Sequence, residues 1–113
     1  MVTPSAGVVV TVQFPFSDLS QSKLRPAVIL ADAGRGDWIL CQVTSNAYAD
    51  PNAVQLENQD FTSGSLSLTS YARPGKLFTA NTTLMATKVG KLKDEAFRQV
   101  IAAVVSLLQS HTQ

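Results

Sequence analysis

The chain has 113 residues, of which 45% are hydrophobic and 15% charged, and it carries a formal net charge of +1. That length holds one domain with a real core, not two, and the composition excludes a disordered segment. So small a charge argues against binding long duplex DNA by bulk electrostatics, so a nucleic-acid role would need a local cluster of cations.

The N-terminus lacks the charged start and long apolar stretch of a signal peptide, which makes the cytoplasm the expected compartment. Val8-Val9-Val10-Thr11-Val12 follows Gly7 and is rich in β-branched residues, the mark of a first strand. Phe14-Pro15-Phe16-Ser17-Asp18 breaks it, because proline removes a ladder donor and Ser and Asp favour turns. A polar loop over 19–24 leads to Arg25-Pro26-Ala27-Val28-Ile29-Leu30, a second strand with its proline expected only at the start. The Gly/Asp-rich cluster at 32–37 is a turn, and 38–45 a third strand. Cys41 lies in that strand within Trp38-Ile39-Leu40-Cys41, where a lone cysteine reads as a small buried hydrophobe rather than a reactive thiol. With one Cys and one His there is no zinc-ligand spacing, and no metal or other cofactor is expected.

Beyond the turn at 50–52, a short strand is expected at 53–56. A turn at 62–65 precedes the alternating Leu66 and Leu68. Residues 70–72 lead into Arg73-Pro74-Gly75, 76–80 continue extended, and 85–89 form a last strand ended by Gly90. From Asp94 the period changes. Ala96, Phe97, Val100, Ile101, Val104, Val105 and Leu108 recur at three- and four-residue spacing, the stripe of an amphipathic helix. That stretch is interrupted by Arg98, Gln99 and Ser106 and is too short for a membrane span. Many short strands closed by one helix predict a mainly β domain: a small, strongly curved barrel with a C-terminal helix packed against it.

Three segments resemble the PemK/MazF family of toxin endoribonucleases from type II toxin–antitoxin systems. They are residues 7–18, ending in Phe14-Pro15-Phe16-Ser17-Asp18; Ser22-Lys23-Leu24-Arg25-Pro26, heading the second strand; and Leu40-Cys41-Gln42-Val43-Thr44-Ser45, closing the third. Later stretches at 70–79 and Val89-Gly90-Lys91-Leu92 are also similar, so the resemblance spans residues 7–108. It implies an SH3-like barrel, a homodimer, metal-free cleavage of single-stranded RNA, and a cognate antitoxin that lays a peptide across the RNA site. Gly75 precedes Lys76 where relatives often carry Asp, and Val8 stands where they often carry Asp after the opening glycine.

Metal-free RNA cleavage uses the ribose 2′-hydroxyl as nucleophile, so the protein must neutralise a phosphorane and manage two protons. Arginine suits the first task, because its planar fork grips two phosphate oxygens and stays charged. On spacing alone Arg25 is a solvated cation at a strand start and Thr44 an ordinary strand residue. The resemblance makes Arg25 the phosphate ligand, Thr44 the orienting hydroxyl and Ser45 its weaker neighbour. Lys23, Arg73 and Lys76 are candidate phosphate contacts, and Phe16 a candidate stacking face for an unpaired base. Trp38 belongs to the core, and Asp18 reads as a turn residue. Two other readings compete: an RNA- or partner-binding module of the same fold without catalysis, and a gyrase poison. The second ranks last because the C-terminus Leu108-Gln109-Ser110-His111-Thr112-Gln113 has no aromatic.

Overall fold

The computed structural model describes residues 2–14 and 23–110. β1 (Val8–Phe14) is built on valines that are buried on both faces: Val8, Val10 and Val12 enter one core and Val9 the other. A strand apolar on both sides must lie inside a sheet covered above and below. β1 accordingly pairs with β2 (Lys23–Gly34) on one side and β7 (Met85–Leu92) on the other. With β3 (Asp37–Thr44), β4 (Val54–Leu56), β5 (Phe61–Gly64) and β6 (Ser70–Asn81), they form one antiparallel sheet in the order β4-β6-β3-β2-β1-β7-β5.

The edges of that sheet, β4 and β5, are neighbours in sequence, joined only by Glu57 and a 3-10 turn at Asn58–Asp60. So short a link forces the sheet to curl until its two ends approach. Leu56 and Phe61, one from each edge, meet in the same core, and Asp60 Oδ2 accepts the Glu57 N–H at 2.8 Å at the corner. The result is the small curled barrel that the strand count predicts.

The helix α1 (Asp94–Gln109) covers one face of the sheet through Ala96, Val100 and Val104. Asp94 and Glu95 stand in its first turn, where negative charge complements the helix dipole. The apolar stripe is narrower than the periodicity predicts: Val105 and Leu108 are exposed. No helix among the described residues is long and apolar enough to cross a membrane. The second core fills the opposite face with Val8, Val10, Val12, Ala27, Ile29 and Leu40, and Trp38 packs half-buried against it.

Several local expectations need correction. β2 runs on to Gly34, so the turn cluster at 32–37 shrinks to Arg35 and Gly36. Pro26 sits inside β2 opposite Thr11, not at the strand's start. It is tolerated because the β2–β3 pairs begin only at the next residue, Ala27↔Gln42, so its missing N–H costs no ladder bond there. The expected turn at 62–65 is instead β5, and 65–69, with Leu66 and Leu68, is not strand. Thr62, Ser63 and Gly64 are polar or small and solvent-facing, so nothing in their side chains signals a strand. Backbone pairing to β7 makes it one.

Gly90 does not end β7 but lets it continue. A Cβ built there would collide with the Ser63 carbonyl oxygen and come within 2.9 Å of the Phe61 ring. Gly90→Ala should therefore cost about 1–3 kcal/mol through overpacking, read as a lower denaturation midpoint. A midpoint equal to wild type would show that β5 does not cross β7 this closely.

Candidate functional site

Val12 pairs with Arg25 across β1 and β2. The β2–β3 register, continued two residues past Ala27↔Gln42, sets Arg25 opposite Thr44, and Thr44 pairs with Tyr71 on β6. Residues directly opposite one another in an antiparallel pair project to the same face. Arg25, Thr44 and Tyr71 therefore share one row, at the end of the sheet face that carries the second core. Arg25 is exposed and makes no ion pair among the described residues. Lys23, two residues earlier, alternates onto the same face and is exposed as well.

The Thr44 hydroxyl is already engaged. Its Oγ1 accepts the Asn46 N–H at 3.1 Å, which leaves the hydroxyl proton as a donor and makes the group an orienter rather than a base. Ser45 follows in a bend and is exposed.

Lys76 and Arg73 reach this face through an irregularity in β6. The β3–β6 ladder passes from Cys41↔Leu77 to Val43↔Ala72, so the four residues Arg73 to Lys76 face the single residue Gln42. An ordinary bulge sets two residues against one. This wide one is held from below. The Cys41 thiol donates to the Arg73 carbonyl at 3.1 Å, and Pro74 is fully buried. Burial pushes the Cys41 thiol up to about 12, so it stays protonated and serves as a donor, as its apolar setting predicts. The register continued by one residue sets Lys76 opposite Gln42, one row from Thr44. Arg25 and Lys76 thus flank β3, on strands about 10 Å apart, within reach of one phosphate backbone.

Arg73 is differently placed. Its Nε donates to Asp50 Oδ2 at 3.1 Å, and its guanidinium carbon lies 5.0 Å from the centroid of the Tyr48 ring. Both Arg73 and Asp50 are largely shielded from solvent. The Asn52 N–H, and after it the Arg73 guanidinium, hold the Asp50 carboxyl below the usual carboxylate range against the opposing effect of burial. Tyr48 and Ala49 both adopt positive φ, 53° and 52°, at roughly 1–2 kcal/mol each. Local bonds offset that strain: Asn46 Oδ1 accepts the Tyr48 N–H at 3.0 Å, and Asp50 Oδ1 accepts the Asn52 N–H at 2.9 Å.

A family profile described as PemK-like, MazF-like toxin of type II toxin–antitoxin system matches residues 5–108. The chain belongs to this family. Among solved structures, MazF (Form-I) from Deinococcus radiodurans is similar to this toxin at TM-score 0.73 and 24% identity, over 96% of this chain and 98% of that one. The MazE-MazF complex (Form-III) from the same organism gives 0.74 and 23%, over 93% and 95%. An endoribonuclease in complex with its cognate antitoxin, from a Mycobacterial species, gives 0.71 and 16%, over 96% and 95%. Likenesses this distant carry the fold. No curated protein sequence matches the chain.

Of the residues picked out in the sequence, Arg25, Thr44, Ser45, Lys23 and Lys76 gather at this end of the toxin's sheet, and Arg73 is ion-paired to Asp50 in the loop after Thr44. Phe16 lies outside the described residues, as do Asp18 and His111. Sequence reasoning missed Asp50. Asp50 lies in an Asp-Pro-Asn turn and reads as turn chemistry, with no local sign of a partner on β6. Among the described residues no three His, Cys, Asp or Glu side chains gather as a metal site would require.

A carboxylate held below its unfolded pKa stabilises the fold above that value, about 3.9, and loses the contribution as pH falls through the folded value. Asp50→Asn should thus be less stable than wild type at neutral pH by about 1.5–3 kcal/mol, the range for hydrogen bonds to charged groups. The gap should close in acid. Urea midpoints at both pH values check this, and a pH-independent gap would mean the charge of Asp50 contributes nothing.

Proposed function

We propose that this PemK/MazF-like toxin is an endoribonuclease that cuts single-stranded RNA, mRNA included, without a metal. The observation that carries the reading is Arg25, an exposed guanidinium with no ion pair among the described residues, in the row where the β2–β3 register, continued past its last pair, places the Thr44 hydroxyl. A strand-borne arginine left unpaired beside a donor hydroxyl suits an anion that arrives from solution.

In the proposed reaction the ribose 2′-oxygen attacks the adjacent phosphorus while the bond to the 5′-oxygen breaks. The products are a 2′,3′-cyclic phosphate and a free 5′-hydroxyl; solvent water takes the proton lost by the 2′-hydroxyl and supplies the one gained by the leaving oxygen. Arg25 directs two N–H groups at the non-bridging oxygens and stabilises the charge that develops on them. Thr44, its oxygen held by the Asn46 N–H, donates its proton to a phosphate or ribose oxygen, with Ser45 beside it. Lys23 and Lys76 neutralise flanking phosphates, and Phe16 is the stacking candidate that the sequence offers. The side chains of the row Val12, Arg25, Thr44, Tyr71 and Gln55 contribute charge stabilisation and alignment.

The family supports a cognate antitoxin as partner, a segment of which covers the basic face. The exposed Val105 and Leu108 of α1 offer apolar surface for a second copy in a homodimer.

Purified protein should cleave a mixed-sequence transcript equally well with a chelator present, and leave cyclic-phosphate ends. Arg25→Ala should lower the rate by roughly 10²–10³ with an unchanged thermal melt. Intact RNA after incubation with folded wild-type protein would remove the proposal. Salt-sensitive binding without product would select the binding module instead.

A further inference from the structure

The loop after Thr44 contains an aromatic side chain that the reaction above does not use. Tyr48 is 58% exposed although its ring lies against the Arg73 guanidinium, so one face is backed by a cation and the other meets solvent. Its backbone is tethered to the reaction centre by two short links: Thr44 Oγ1 accepts from Asn46, and Asn46 Oδ1 accepts from Tyr48. Arg73 is fixed in turn by Asp50, which lies two residues beyond Tyr48 in the same loop. The ring is therefore anchored from both sides, through its own loop and through β6. An exposed hydrophobic side chain fixed in this way, at a conformation that bulky residues seldom adopt, is poorly explained by packing.

Resting on the ribonuclease reading, we propose that Tyr48 is a stacking platform for one unpaired base next to the scissile phosphate. Arg73 is then the positioning residue that holds the platform, rather than a phosphate ligand. Every base has a π-face, and a ring fixed beside the cleavage point accepts one without hydrogen-bond readout. The cation behind the ring fixes its tilt, and the Nε–carboxylate contact with Asp50 fixes the cation. The substrate class this site takes is thus an extruded or single-stranded nucleotide, not a base within a duplex.

The test uses the full chain and a labelled single-stranded RNA spanning the strongest cleavage site. The cleaved nucleotide carries a 2′-O-methyl group, so that binding is measured without turnover. A set of such probes, each abasic at one position, completes the design. Tyr48→Ala should weaken binding of the intact probe on the order of 10-fold, within the roughly 5- to 150-fold that loss of one aromatic stack spans. The loss should vanish on the probe abasic at one particular position and persist on the others. Tyr48→Phe should bind as wild type does. Tyr48→Trp should add an emission, beyond that of Trp38, that the intact probe quenches. Arg73→Lys keeps the charge but loses the planar stack, and should weaken binding through the same base and no other.

Equal affinity of wild type and Tyr48→Ala, or a loss of the same size on every abasic probe, would overturn the platform. So would a Tyr48→Trp variant that binds the intact probe while its added emission stays unquenched. Those results leave the ribonuclease reading intact. Wild-type protein that neither binds nor cuts RNA removes both.

Discussion

The site depends on one break in pairing, where four residues of β6 face one residue of β3. Without it the ladder would run straight from Leu77 to Ala72, and neither Arg73 nor Lys76 would stand where it does. A gap of that size in a sheet interior leaves backbone groups without their ladder partners, which is costly unless something else satisfies them. Cys41 answers part of that need by donating to the Arg73 carbonyl, and buried Pro74 has no N–H to satisfy. The bulge is thus compatible with a core and yet carries two cations at its ends.

The two faces of the sheet divide the work. On one, α1 closes with Val100 over Val9, Cys41 and Val43 and gives the fold its main apolar burial. On the other, the valines of β1 with Ala27, Ile29 and Leu40 form a second core that ends where Arg25 and Thr44 begin. Alternation along each strand explains why basic and apolar residues share a face. β2 carries Lys23, Arg25, Ala27 and Ile29 on the same side, with the polar pair at the open end. The same rigidity that packs Ile29 therefore aims Arg25.

Charge near the site is arranged in two ways. Arg25 has no carboxylate on it among the described residues, whereas Arg73 is tied to Asp50 and shielded. A paired guanidinium is already neutralised and gains less from a phosphate, while an unpaired one keeps its full attraction. One basic pattern in the sequence thus divides into an arginine with no ion pair among the described residues and a brace, and the brace reaches the loop that follows Thr44.

Much was legible in the residues alone. β-branched runs, the change of period at Asp94 and the basic Arg-Pro strand indicated a mainly β domain, its closing helix and the family resemblance, because these signals are local and repeat along the chain. Arg25 and Thr44 could be singled out by motif, but their facing positions follow from a strand register that spans separate segments. β5 was missed because its strand character lies in backbone pairing to Gly90 and not in its own side chains. Asp50 was missed for a related reason: it meets Arg73 across 23 residues of chain. Local composition decided which elements form. Contacts between distant segments decided which cation is braced and which aromatic is held out to solvent, since each depends on a partner that no short window contains.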